Sequence, residues 1–177
     1  MHKLIASFPV SLLIFITLAA CAPKFDWRDV HDGISPYTVL MPAKPSMLSR
    51  EIQIGAQSVT MHMTASQIDR VKFAAGAANM GDPTVAQMTL AVIKTTLIDN
   101  MAGHITQDKS SVMQINGKTV LVDEFEADRT APSGAAVHML GRLIASGSWV
   151  FQMLVVGPED ELNREAADTF LTSFKPV

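Results

Sequence analysis

Three sets of residues in this sequence could do chemistry. Met61-His62-Met63 and His138-Met139 bring together thioether and imidazole groups, the ligand types that suit copper, in a chain with 11 methionines among 177 residues. Glu124, Glu126 and Asp128 alternate along "VDEFEAD". That spacing sets three carboxylates on one face of a strand, where with His138 or Arg142 they could move a proton or hold a divalent cation. Cys21 is the only thiol. Strand geometry weighs against the metal, because successive side chains point to opposite faces: Met61 and Met63 share one side, His62 takes the other, and His138 and Met139 are separated in the same way. Each of these methionines also stands where a core residue is expected, so core filling is the preferred reading and no metal or other cofactor is expected. His31 and His104 have no partner at ligand spacing. For the three acids the simplest expectation is a solvated edge that resists edge-to-edge aggregation. A Gly-x-Ser-x-Gly elbow and a phosphate-cradling glycine loop are both absent from the sequence, so no catalytic constellation is expected.

Cys21 has a different chemistry, set by what precedes it. Lys3 is followed by an uncharged stretch from Leu4 to Ile16, too short and too interrupted at Pro9 for a spanning helix, which needs about 20 apolar residues. It ends in Leu18-Ala19-Ala20-Cys21, which resembles a bacterial lipobox. The resemblance implies a lipoprotein signal peptide at residues 1–20, cleavage before Cys21, a diacylglycerol on the sulfur and a palmitate-type acyl group on the new amino terminus. With several chains, each contributing about 0.8 kcal/mol per buried methylene, such a protein is held on the bilayer. Ala22, rather than an aspartate, follows the cysteine, and the same resemblance then favours the periplasmic face of the outer membrane.

What remains after residue 20 is one domain's worth of chain, roughly 160 residues, with no disulfide to staple it. Lys+Arg number 14 against 17 Asp+Glu, and no basic cluster advertises a nucleic-acid partner. Residues 21–35 read as the lipidated terminus and a tether, with Phe25, Trp27 and Arg28 as a possible interaction segment. Two aromatics there either fold back over an edge of the domain or seat at the membrane interface or on a partner.

A single domain over residues 36–177 must position everything else. "YTVLMPAKP" is extended and stopped by Pro42 and Pro45. Alternation on both sides of Gly55 gives a hairpin with Ile52, Ile54, Val59, Met61 and Met63 inward, and a strand over residues 70–75 follows with Val71 and Phe73 inward. Asp82-Pro83 opens a helix whose apolar stripe is Ala86, Leu90, Ile93, Leu97 and Met101, with Gly103 as its stop. Asn116-Gly117 marks a two-residue hairpin turn, and a further strand pair turns at Gly147. In that last pair the alternation fades into a nearly continuous apolar run, as expected of central strands covered on both faces. Glu159, Asp160 and Glu161 then read as the acidic start of a second helix that ends at Lys175, with Leu162, Ala166, Phe170 and Phe174 buried. The expected order is β-β-β-α-β-β-β-β-α: an α+β fold, an antiparallel sheet of about six to seven strands with two main helices.

"MPAKP" after the first strand, the long middle helix, and "VFQMLVVG" followed by a terminal "FLTSFK" helix together resemble the PsbP-like superfamily and its DcrB-like members, among them many proteobacterial lipoproteins. The resemblance implies an α/β/α sandwich and no shared catalytic residues. Members of that superfamily act mostly by binding other proteins, so the expectation is a membrane-anchored, non-enzymatic envelope lipoprotein with an envelope protein as partner. The alternative is a periplasmic binder of a small ligand or of copper.

Overall fold

The computed structural model describes residues 23–31, 33–130 and 134–177. Its centre is a seven-stranded antiparallel sheet formed by β3 (Ser46–Ile54), β4 (Gln57–Ile68), β5 (Val71–Asn79), β6 (His104–Ile115), β7 (Lys118–Thr130), β8 (Ala136–Ser146) and β9 (Trp149–Pro158), in the order β3-β4-β5-β9-β8-β7-β6. A long helix, α1 (Pro83–Met101), lies on one face. A shorter helix, α2 (Arg164–Ser173), lies on the other. Beside α2 is a small sheet of β1 (Arg28–Val30), β2 (Tyr37–Met41) and β10 (Lys175–Pro176), in the order β1-β2-β10. The fold is α+β, with an antiparallel sheet between two helical layers.

Side-chain alternation explains the two cores. On β8, Leu140 and Ile144 pack with Phe170 of α2, while Met139, Leu143 and Ala145 pack with Leu90 and Ile93 of α1. On β9, Phe151, Met153 and Val155 face α2, whereas Val150 and Leu154 face α1. Both strands sit mid-sheet, which is why their sequences are apolar almost without interruption. Asn116 (φ 50°) and Gly117 (φ 76°) both take the left-handed conformation that a type I′ turn needs. Asp82 caps α1 as expected, its Oδ1 accepting from the amides of Thr84 (2.8 Å) and Val85 (3.0 Å).

Several expectations are corrected. Ala102, not Gly103, adopts the left-handed cap of α1 (φ 52°); Gly103 is needed for close approach, since a Cβ there would lie 2.8 Å from the Asp128 carbonyl oxygen. Five strands precede α1, and β10 follows α2, so the chain has more strands than its patterning suggests. The acids Glu159–Glu161 form a separate 3-10 turn; α2 begins later, capped by Asn163, whose side chain accepts from the Ala166 amide at 2.9 Å. Lys175 lies in β10, beyond the helix.

Residues 24–30 of the stretch assigned to a tether are also part of the fold. β1 pairs with β2 in the register Arg28↔Met41 to Val30↔Val39, and the Asp26 amide donates to the Pro42 carbonyl at 2.9 Å. Phe25 stacks on Trp27 at 5.8 Å between centroids, and Trp27 packs against the α2-side core. Lys24 reaches Asp69 in the β4–β5 turn at 2.8 Å.

Candidate functional site

The acidic strand and α2 bring a cluster of charged side chains together. Glu124, Glu126 and Asp128 fall on the α2 side of β7, where the register sets Glu124 opposite Arg142 and Asp128 opposite His138 on β8. His138, only 6% exposed, uses both ring nitrogens: Nδ1 meets Asp128 Oδ1, and Nε2 lies 3.2 Å from Glu126 Oε2. The first residue of α2 completes the group. Arg164 donates through Nη1 to Glu126 Oε1 (2.7 Å) and through Nη2 to Oε2 (2.9 Å), a bidentate pair. Arg142, also 6% exposed, donates from Nη1 to the Leu171 carbonyl near the end of α2 (3.1 Å), and its Nε stands 3.5 Å from Glu124 Oε1. The ladder expected at a sheet edge is therefore elsewhere. β7 is paired on both sides, with β6 and β8, and its acids form an ionic strip that ties both ends of α2 to the sheet.

Between α2 and the β6–β7 hairpin runs a groove of about 300 Å³. Gln107 and Lys109 of β6 and Glu124 and Glu126 of β7 line one side, Asp168 and Leu171 of α2 the other, over a floor that includes Leu140. On the α1 side of the same hairpin, Lys94 Nζ sits 2.8 Å from Asp108 and 3.4 Å from Asp123. Burial works to lower the Lys94 pKa, but the Asp108 hydrogen bonds and the charge of Asp123 outweigh it and raise it. The hairpin is thus fastened to both helices.

Glu126 has its pKa lowered, first by the Arg164 hydrogen bonds, with burial opposing and the charges of Arg164 and His138 adding to the effect. A carboxylate whose pKa is lower folded than unfolded stabilises the fold above its unfolded value, about 4.3 for glutamate, and loses that contribution as pH falls through the lower folded value. Acid should accordingly loosen α2. In Glu126→Gln the stability lost on going from pH 6 to pH 3 should be smaller than in the parent, by roughly 1 kcal/mol, read by urea unfolding at each pH. Equal losses in the two proteins would remove Glu126 from the account.

The other residues marked in the sequence are placed apart. Met61 (2% exposed) and Met139 (6% exposed) are core residues of the α1 side, with Met63 packed against that core. His62 projects from the opposite face of β4, its Nδ1 2.7 Å from the Ser49 hydroxyl on β3. Among the described residues no group of three or more His, Cys, Asp or Glu side chains is placed to hold a metal ion. Phe25 and Trp27 are packed on the domain, and Arg28 is paired with Asp26. Cys21 lies outside the described residues. Sequence reasoning missed Arg164, whose link to Glu126 spans 38 positions.

Among the described residues no helix is long and apolar enough to cross a membrane. No family model matches this chain, and no curated protein matches it.

Proposed function

We propose that the protein is a lipid-anchored envelope lipoprotein that works without catalysis, by accepting an extended segment of a second envelope protein along β6. The observation that carries the reading is the state of that strand. β6 is a 12-residue sheet edge, almost wholly exposed, with Val112 at 70%, Ile105 at 41% and Met113 at 38% exposure. An open edge of this length presents a row of backbone donors and acceptors to an incoming strand, and apolar side chains on it add to the attraction. β3, at the other edge, also exposes Met47 and Leu48. What favours β6 is its length, 12 residues against 9 in β3: backbone pairing along it would supply affinity, and the groove under α2 would receive alternate side chains of the partner.

The anchoring half of the proposal rests on Leu18-Ala19-Ala20-Cys21, and Ala22 supports the periplasmic face of the outer membrane. Docking of residues 24–30 on the domain holds the body close to its anchored end, a placement suited to a partner in the same membrane.

A photo-crosslinking amino acid at Ser111 on β6, in the full chain expressed in intact cells, should give a discrete heterologous adduct, while the same group at Gln87 on the outer side of α1 should not. Val112→Lys should diminish the adduct severalfold with stability unchanged within about 0.5 kcal/mol, since the site is exposed. Absence of any β6-specific adduct, or an adduct indifferent to Val112→Lys, would overturn the docking edge. Cys21→Ala should abolish incorporation of labelled fatty acid; persistence of the label would overturn the anchor.

A further inference from the structure

On the opposite side of the sheet from α2, α1 stands away from the β3–β4 hairpin and leaves a second groove, of about 250 Å³. Ile52, Ile54 and Met61 from the hairpin and Ile93 and Leu97 from α1 give it apolar walls. Gln53, Thr96 and Asn100 are exposed around it, and among the described residues no lining side chain is charged. One polar group enters from below. Gln152 of β9 is 8% exposed, lies between the core residues Val150 and Leu154 on the same face, and lines the groove. Its carboxamide has no hydrogen-bond partner among the described residues, and its polar atoms are open to the groove rather than sealed in the protein. Gly76, its register partner on β5, makes the room: a Cβ there would lie 3.0 Å from both Cγ and Nε2 of Gln152 and 3.2 Å from Met61 Sδ.

A carboxamide open to the groove meets water there, and a group that displaces that water has to replace the donor and the acceptor it supplied. Here the amide faces open space of ligand size rather than packed protein. A carboxamide offers an acceptor and a donor side by side, which another amide meets with a donor and an acceptor in reciprocal order; a hydroxyl meets them less completely. A carboxylate or ammonium ion would lose its hydration among apolar walls with no counter-charge to replace it. For scale, a cavity of about 150 Å³ accommodates benzene, so this groove has room for a body of roughly ten heavy atoms.

We propose that the groove between α1 and the β3–β4 hairpin is a binding site for a small neutral acyl amide, its amide paired with Gln152 and its chain against Ile93 and Leu97. The site is separate from the β6 edge and stands whether or not that edge binds a partner.

The probe is octanamide, with octanoate and octylammonium as charged isosteres, titrated into the full chain held in phosphatidylcholine nanodiscs. The readout is the ¹⁵N side-chain amide signal of Gln152, assigned by its disappearance in Gln152→Met. Octanamide should shift that signal saturably, and each charged isostere should bind at least about tenfold more weakly. Gln152→Met, which keeps the side-chain length, should raise the octanamide dissociation constant about tenfold, followed on the Leu97 methyl signals. Leu97→Trp fills the groove from α1 and should abolish the Gln152 shift; if thermal melting shows that this variant does not fold, Gln152→Met decides. No saturable shift, indicating a groove filled by water only, overturns the proposal. So does equal response to all three probes, or unchanged octanamide affinity in Gln152→Met.

Discussion

Replacing Phe170 with alanine is expected to lower the free energy of unfolding by about 3–5 kcal/mol, the range for emptying a fully buried aromatic site. Phe170 is 0% exposed and meets Phe73 of β5 edge to face, with ring centroids 5.6 Å apart at 87°. Three circumstances place the effect at the upper end. α2 has 10 residues, too few to hold helical structure without tertiary packing. The aromatic pair adds about 0.5–1.5 kcal/mol beyond the area it buries. Loosening the helix also strains the ionic strip, since Arg164 and the Leu171 carbonyl are held in place by the same helix. Urea unfolding followed by far-ultraviolet circular dichroism gives the total. Hydrogen exchange separates local from global loss: amides of α2 should exchange much faster while those of β8 and β9 follow the global stability. A loss below about 1.5 kcal/mol, with α2 still protected, would mean that the helix is docked mainly by its polar ends. Phe170→Leu, which refills part of the space, should recover much of the loss.

The elements that could be read from the sequence are those whose cause is local. The alternation in "EIQIGAQSVTMHMT", the Asn116-Gly117 turn and the Asp82-Pro83 start each depend on a few neighbouring residues, and each is present in the structure. β1 and β10 have three and two residues, carry no usable period, and exist because β2 lies between them; their pairing is a long-range fact. The start of α2 misleads for a physical reason. Three acids in a row resemble a first helical turn, yet the polar side chain that satisfies a helical amide belongs to Asn163.

The polar strip was half legible. Period-two spacing put Glu124, Glu126 and Asp128 on one face, and His138 and Arg142 stood out as chemistry-bearing residues in the next strand. What the spacing could not supply was the strand order. With β7 one place in from the edge, the acids face α2, and carboxylates that would have repelled neighbours become counter-ions for Arg164 and Arg142 and lie within hydrogen-bonding reach of His138. Gln152 was illegible for a different reason: in "WVFQMLVVG" a single glutamine in a core run carries no signal until α1 is seen to stand off the sheet above it.

Gly141→Ala should be destabilising by at least about 2 kcal/mol, although one methyl group is all it adds and alanine is ordinarily the better strand residue. Gly141 lies opposite Phe125 in the β7–β8 register, and the phenyl ring, 3% exposed, covers the glycine. A Cβ at position 141 would fall 2.8 Å from Cε2 of that ring and nearer still to Cε1 and Cζ, with no flexible chain end to give way. Either the ring leaves its site in the α1-side core, or β7 and β8 separate at the point where the ionic strip crosses them. A double-mutant cycle identifies the cause. Phe125→Ala alone should cost about 3–5 kcal/mol through the cavity it leaves. Once that ring is gone the added methyl meets open space, so the double variant should be more stable than the sum of the two single losses predicts, by at least about 1.5 kcal/mol. Additivity within about 0.5 kcal/mol would show that glycine is required at 141 by the backbone and not by the ring. The same cycle has a structural reading at the ligand groove, where Gly76 lies under Gln152 as Gly141 lies under Phe125. There the covering group is a flexible carboxamide that can move aside, so Gly76→Ala should cost less than Gly141→Ala, and its chief effect should be to displace Gln152 from the position in which it meets a bound amide.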